Sequence, residues 1–248
     1  MSAFTFTVYG TEFCRLLEAT ALFQAKPKDS DAYAAVRCFV RHDGLTMVAT
    51  NLFALAVGTI STAEQDGTGI LTLPAAQVRV VLAMFKRRLP KEVSEHEYVL
   101  EVHVEPHAIR IREISGLFDN DQLVIATLTD HDLQHGETSD DDRAMALAAS
   151  AHRMLADSEP FVLEAGCSIA GTQLALMCRA ARVLAAPFYL RTLGRRLVGI
   201  VADGDGHALV MAVGVSTRDK DAEGTPLDAD VLAEYRGRLD ELVDQAVL

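Results

Sequence analysis

The feature that most constrains the fold is a strand, a tight reversal and a second strand encoded within residues 45–57. Apolar and β-branched residues flank a polar reversal at Thr50 to Leu52, as in a β-hairpin. A third strand over residues 70–74 ends on Pro74, and the apolar segment over residues 75–89 then predicts a helix. The chain is therefore predicted to have an α+β fold in which antiparallel strands lead into helices.

Neighbouring segments complete two copies of one β-α-βββ unit. Residues 4–9 alternate with period two, which predicts a strand, and Thr11 is the predicted N-cap of a helix that runs to about Phe23. The remaining strands are predicted over residues 34–41, 45–59, 98–104, 108–114 and 122–129, with a hairpin turn at residues 42–44. Residues 1–130 are thus predicted to form one complete domain.

Composition divides the rest of the chain into three parts. Residues 131–142 are a predicted acidic linker, residues 143–216 a shortened second domain, and residues 217–248 a polar loop with a C-terminal helix. The second domain is predicted to contain helices over residues 140–155 and 172–184 and strands over residues 161–164, 188–193 and 197–215. Within residues 228–247, apolar side chains recur at helical spacing: Val231, Leu232, Tyr235, Leu239 and Leu242. This helix either docks on the body of the protein or associates with a partner or a second copy.

Length, hydropathy and cysteine usage narrow the class of protein. The 248 residues suffice for one large or two modest domains, and 50% of them are apolar. No apolar run reaches the roughly 20 residues of a membrane span, and residues 1–10 lack the pattern of a secretory signal. The cysteines lack metal-finger spacing, so buried thiols are expected at Cys14, Cys38, Cys167 and Cys178. We expect a cytoplasmic protein that needs no cofactor and no structural metal.

The net charge of -12 opposes binding to nucleic acid, because Lys and Arg supply most of the affinity for phosphates. The distribution of charge argues the other way. Residues 74–91 contain five basic residues and no acid, and residues 165–202 contain five more and again no acid. Acidic residues concentrate in residues 137–142 and 219–244, which would keep the outer surface away from a duplex. Two basic windows that include predicted helices therefore indicate a surface for a polyanion.

The order of elements, together with particular residues, resembles the bacterial sliding clamp family, the processivity rings of replicative DNA polymerases. The family pattern is roughly apolar-x-x-Val-Ala-Thr-Asp-Gly-x-Arg-Leu-Ala-Val, followed by a strand, a proline and a helix. This chain keeps Val48, Ala49, Thr50, Leu55, Ala56, Val57 and Pro74, and it departs at Asn51, Leu52 and Ala54. A second likeness, to the closing hairpin of the clamp, runs from Leu197 to Met211. There Ala212 and Val213 follow Met211, so the proline and the arginine of the family are missing.

This resemblance implies an α+β, clamp-like fold with antiparallel sheets outside and helices on the inner face. It implies phosphate contacts without sequence readout at Arg79, Lys86, Arg87, Arg179, Arg182, Arg195 and Arg196. It also implies a hydrophobic cleft for partner peptides at Thr50, Leu52, Phe53, Leu55, Val210 and Met211. The implied partners are duplex DNA, a DNA polymerase and further copies of this chain in a ring, in a nucleoid-associated protein.

Two other classes of function stay open. A non-encircling adaptor or regulatory binding module would keep the clamp fold without surrounding DNA. An enzyme would need a site, and the one candidate set of metal ligands is His131, Asp132, His135 and Glu137 in the predicted linker. The pair His42-Asp43 resembles half of a phosphohydrolase signature, but a hairpin turn explains it. The sequence has no phosphate-binding loop and no nucleophile elbow, so it favours a processivity factor without catalysis.

Overall fold

The structure is a computed structural model that describes residues 3–28, 33–42, 44–51, 53–87, 89, 91–118, 121–127, 159–160, 171–193, 196–202 and 208–214. The predicted linker, the predicted helix over residues 140–155, the predicted strand over residues 161–164 and the C-terminal segment lie outside these residues. So does Cys167.

The described strands form two antiparallel sheets. The five-stranded sheet contains, in spatial order, β5 (Glu64–Asp66), β1 (Phe4–Tyr9), β7 (Val99–Val104), β8 (Ala108–Glu113) and β9 (Gln122–Ala126). The eight-stranded sheet contains β10 (Glu159–Pro160), β11 (Phe188–Leu193), β12 (Arg196–Ala202), β13 (Ala208–Gly214), β4 (Ala54–Ile60), β3 (Gly44–Thr50), β2 (Ala35–Arg41) and β6 (Gly69–Pro74).

Three α-helices pack on one face of the eight-stranded sheet: α1 (Gly10–Ala21), α2 (Ala75–Phe85) and α3 (Gly171–Leu184). Helix α1 lies against β2, β3 and β4, and it also contacts both other helices. Helix α2 contacts β2 and β6, whereas α3 contacts β12 and β13. Buried side chains from both sheets and all three helices form one continuous core. The predicted fold class, with antiparallel sheets and helices on a common side, is confirmed.

Each helix belongs to a repeated unit, because three antiparallel strands follow it. The units are α1-β2-β3-β4, α2-β7-β8-β9 and α3-β11-β12-β13. The last strands of the first and third units pair with each other, with Val57 opposite Val210 and Ala56 opposite Met211. The described part of the second domain therefore contributes one unit, whose strands extend the sheet of the first domain.

Two glycines let the helices approach the strands closely. A Cβ on Gly58 in β4 would lie 2.2 Å from Leu16 Cδ1 of α1. A Cβ on Gly10 would lie 2.4 Å from the Tyr98 ring, and the Gly10 amide donates a hydrogen bond to the Tyr98 carbonyl at 2.7 Å. The buried Tyr98 hydroxyl donates to the Phe85 carbonyl at 2.9 Å. Tyr98 thus joins the start of α1 to the end of α2.

Two predicted helix ends are wrong. Helix α1 begins at Gly10 with Tyr9 as its N-cap, and no side chain caps it, so Thr11 is inside the helix. Helix α2 ends at Phe85 rather than at residue 89, because Lys86 has an extended ψ of 86°. None of the helices within the described ranges has the length and apolarity needed to cross a membrane.

Candidate functional site

The three helices form a layer, which we call the helical layer, with α1 between α2 and α3. Helix α2 carries Arg79, and Lys86 and Arg87 follow directly after it; all three residues are exposed. Helix α3 carries Arg179 and Arg182, which are also exposed. Five of the seven predicted phosphate-binding residues therefore belong to this one layer.

Two of these cations are paired with acids that lie far away in the sequence. Lys86 Nζ is 2.5 Å from Glu18 Oε2 of α1. The Arg87 guanidinium donates to the Asp121 carboxylate and lies 5.1 Å from the centre of the Phe118 ring. The basic window at residues 74–91 contains no acid, but the fold supplies acids from elsewhere. The positive charge at the end of α2 is therefore smaller than the sequence window indicates.

The middle helix, α1, has mixed charge. Arg15 donates two hydrogen bonds of 2.9 Å each to the Glu95 carboxylate. Glu12 faces the imidazole of His96 at 3.6 Å, and Glu18 binds Lys86 as described. The three helices and the two residues after α2 together carry six basic and two acidic side chains. The layer is basic on both flanks and nearly neutral along its centre.

The other two predicted phosphate contacts are not brought to the layer by described residues. Arg195 lies outside the described part of the chain. Arg196 begins β12, where the backbone pairs it with Gly214, and only its backbone is described.

The β3–β4 turn depends on Asn51, where the family pattern has an aspartate. Asn51 Oδ1 accepts hydrogen bonds from the backbone amides of Phe53, at 3.1 Å, and Ala54, at 2.8 Å. The Thr50 hydroxyl donates to the Ala54 carbonyl at 2.8 Å. Because an amide oxygen accepts hydrogen bonds as a carboxylate oxygen does, Asn51 can hold this turn without a charge. The turn presents Phe53, whose side chain is 74% exposed.

The predicted cleft residues divide between the two faces of the eight-stranded sheet. Leu55 and Val210 lie on the face opposite the helices, which we call the second face. Thr50 pairs with Leu55 and shares that face. Met211 lies on the helix side, fully buried in the main core, so it does not line a surface with Val210. Leu52 lies outside the described residues.

The sequence analysis missed the apolar cluster on the second face. It contains Phe39, Val48, Leu55, Val57 and Ala212, with Ile70 packed against it. A signal was present, because β2 and β3 are apolar at consecutive positions and not only at alternate ones. Such runs are typical of strands buried on both faces.

The cysteines and the candidate metal ligands give little support to a catalytic site. Burial raises the pKa of the Cys14 thiol to about 12 and also raises that of Cys38, so both thiols stay protonated at neutral pH. Both are buried as predicted, whereas Cys178 is exposed, contrary to prediction. The described residues contain no cluster of three or more His, Cys, Asp or Glu side chains that could hold a metal ion. The candidate ligands between residues 131 and 137 lie outside them.

Comparison with known proteins supports the fold. No family model matches this chain, and no curated protein matches it. The solved DNA polymerase III beta subunit from Thermotoga maritima is similar at a TM-score of 0.57 and 15% identity, over 91% of this chain and 67% of that one. The sliding clamp from Bartonella birtlesii, also a DNA polymerase III subunit beta, gives 0.51 and 10%, over 87% and 66%.

The chain is shorter than these proteins. Against the sliding clamp from Pseudomonas aeruginosa, at 16% identity and a TM-score of 0.43, it spans 52% of that chain while 88% of this chain is covered. It thus spans about half to two thirds of the length of the clamps it matches. The class that the fold defines is the sliding-clamp fold, and at these identities the likeness concerns the fold alone.

Proposed function

We propose that this protein is a sliding clamp-like processivity factor, which holds duplex DNA without sequence specificity and tethers a DNA polymerase. The observation that carries the proposal is the helical layer: three repeated units place their helices on one side, and the exposed flanks of that side are basic. The similarity in fold to bacterial DNA polymerase III beta subunits supports it.

The charge of the layer suits a weak and mobile grip on DNA. Exposed arginines bind phosphates without reading bases, so such contacts position a duplex and leave it free to slide. Lys86 and Arg87 can reach phosphates only by giving up their carboxylate partners. We therefore assign the main contacts to Arg79, Arg179 and Arg182, and expect low affinity that falls steeply with salt.

Encirclement is tested by comparing circular with linear DNA. A single chain of this length cannot form a closed ring of six clamp domains, so encirclement requires several copies. We expect the protein to be an oligomer in solution and to stay on relaxed circular plasmid after a high-salt wash. The same plasmid, once linearised, should release it, because salt removes phosphate contacts and a ring can slide off an open end. Equal loss from both forms would contradict encirclement.

The polymerase contact is placed at the exposed end of the β3–β4 hairpin. Phe53 projects from the turn, and Thr50, Leu55 and Val210 continue the surface along the second face. An aromatic anchor beside apolar strand residues suits a short apolar peptide. Met211 is not part of this surface, since it faces the main core.

The Phe53→Asp variant tests this contact. It should weaken binding of a fluorescent peptide that carries a clamp-binding sequence of a bacterial polymerase, measured by polarisation. Loss of an aromatic hot spot costs about 2 kcal/mol or more, which is about thirtyfold in affinity. Val124→Asp is the matched control, because Val124 is also exposed but belongs to the five-stranded sheet. Equal affinities of the two variants would place the contact elsewhere.

A second candidate is a clamp-fold adaptor that does not surround DNA. Two observations favour it: acids of α1 neutralise the centre of the helical layer, and the chain spans only 52–67% of the clamps described above. A monomeric mass by light scattering, together with salt-sensitive release from circular and linear DNA alike, would support the adaptor.

A further inference from the structure

The second face of the eight-stranded sheet is buried, although it lies opposite the helices. Val198 is 0% exposed and Val48 is 2% exposed. The corresponding face of the five-stranded sheet is different, since Arg110 and Arg112 are exposed there and Val124 is 56% exposed. One sheet therefore has a solvated outer face, and the other has a dry one.

Nothing in the described ranges accounts for this burial. The apolar cluster on the second face consists of strand residues of the sheet itself. The described helices pack on the opposite face, in the main core. An apolar sheet face of this size becomes dry only when another layer covers it. The covering layer is to be sought in the chain beyond the described residues.

The charges on the second face indicate what kind of segment covers it. Strand pairing places Arg37 opposite Val48, and Arg191 opposite Val198, so both arginines share the second face. Arg41, two residues after Phe39 on β2, belongs to the same face. Among the described side chains of this face there is no Asp and no Glu. The face is therefore apolar and basic, and it suits an apolar, acidic segment.

We propose that the C-terminal segment, residues 217–248, folds back and docks on the second face. Its predicted helix carries an apolar stripe that includes Val231, Tyr235, Leu239 and Leu242, and residues 217–248 contain nine acidic and four basic residues. A helix of this length spans about 30 Å, and eight strands span about 34 Å, so one helix can cross the buried strands.

The position of β13 also favours this segment. β13 ends at Gly214 between β4 and β12, in the middle of the sheet, so the C-terminal segment starts beside the face. The other long apolar segment, residues 143–158, carries Arg143 and Arg153 against a single acid, Asp157. It is the less suitable occupant of a basic face.

Docking has a consequence for partner binding, and this part alone rests on the proposed function. Leu55 and Val210 lie on the covered face and belong to the proposed peptide surface. The C-terminal segment and a polymerase peptide would then compete for the same strands. Only a peptide that displaces the segment, or binds beside it at Phe53, would gain access.

Photo-cross-linking in the full-length protein tests the docking. Tyr235 is replaced by p-benzoylphenylalanine, and cross-linked peptides are mapped by mass spectrometry in a mixture of light and heavy isotope-labelled protein. Gly237 is the control position, because it lies about 180° from the centre of the apolar stripe on a helical projection. We expect cross-links from position 235 to β2, β3, β4 or β13 of the same chain, few from position 237, and their loss in a Leu239→Asp variant.

Cross-links to the helical layer, to residues 128–170 or to a second copy would overturn the docking. The competition is measured separately, with the fluorescent polymerase peptide and Leu239→Asp in otherwise intact protein. A rise in peptide affinity supports the competition. Unchanged affinity alongside intrachain cross-links in the parent overturns the competition and the peptide surface, while the docking stands.

Discussion

Glu113 organises the loop that follows β8. Its carboxylate is buried and accepts hydrogen bonds from the Ser115 hydroxyl and the Leu117 amide, the latter at 3.3 Å. Burial by itself would raise the pKa of Glu113. The hydrogen bonds from Ser115 and from the backbone amides of Leu117 and Phe118 outweigh burial and hold the pKa below its ordinary value.

We predict that Glu113→Gln lowers the free energy of unfolding by about 1–3 kcal/mol at neutral pH. A carboxyl group with a lowered folded pKa stabilises the protein above its unfolded pKa of about 4.3, and that contribution is lost as the pH falls through the folded pKa. The difference between parent and variant in urea unfolding should therefore shrink below about pH 4. Glu92→Gln, at an exposed glutamate, is the control. A difference that does not change with pH would contradict the charge effect.

At the scale of elements, the contact between α1 and β4 fixes the helical layer on the sheet. Gly58 leaves room for the buried Leu16, and Leu209 of the neighbouring β13 also approaches the same point, at 3.0 Å. Helix α1 therefore rests on the junction between the first and third units. Its position determines how α2 and α3 are spaced.

We predict that Gly58→Ala costs about 1–3 kcal/mol by overpacking, and that Leu16→Ala costs about 2–5 kcal/mol by leaving a cavity. The double variant should cost less than the sum by about 0.5–3 kcal/mol, because the small residue at position 16 accepts the new methyl group. Gly171→Ala should change stability little, since a Cβ there meets nothing within 4 Å. Strict additivity in chemical denaturation would show that the two residues do not share this contact.

The sequence predicted local elements well because strands, hairpins and helices depend on neighbouring residues. It did not predict that β4 pairs with β13, which joins residues about 150 positions apart. The same limit applies to the basic surface: Lys86 pairs with Glu18 across 68 positions, and Arg87 pairs with Asp121 across 34. Met211 is a different kind of error. Adjacent strand residues point to opposite faces, so Val210 and Met211 could not both line one surface.

At the scale of the whole molecule, the proposal states which side faces DNA. The helical layer carries exposed arginines on α2 and α3, within a chain of net charge -12. The outer face of the five-stranded sheet also carries exposed arginines, but Arg110 pairs with Glu105 at 3.3 Å and Arg112 with Glu101 at 2.9 Å. These two sides allow a comparison in which net charge is held equal.

The most direct test of the account is DNA affinity measured against salt for two double variants. Arg79→Glu with Arg182→Glu changes the helical layer, and Arg110→Glu with Arg112→Glu changes the sheet; each lowers the net charge by the same amount. We predict that the layer variant loses affinity and that its log–log salt slope falls by about 0.9 for each phosphate contact removed, while the sheet variant keeps the parent slope. Equal losses in both variants, or none in either, would contradict a DNA-facing helical layer.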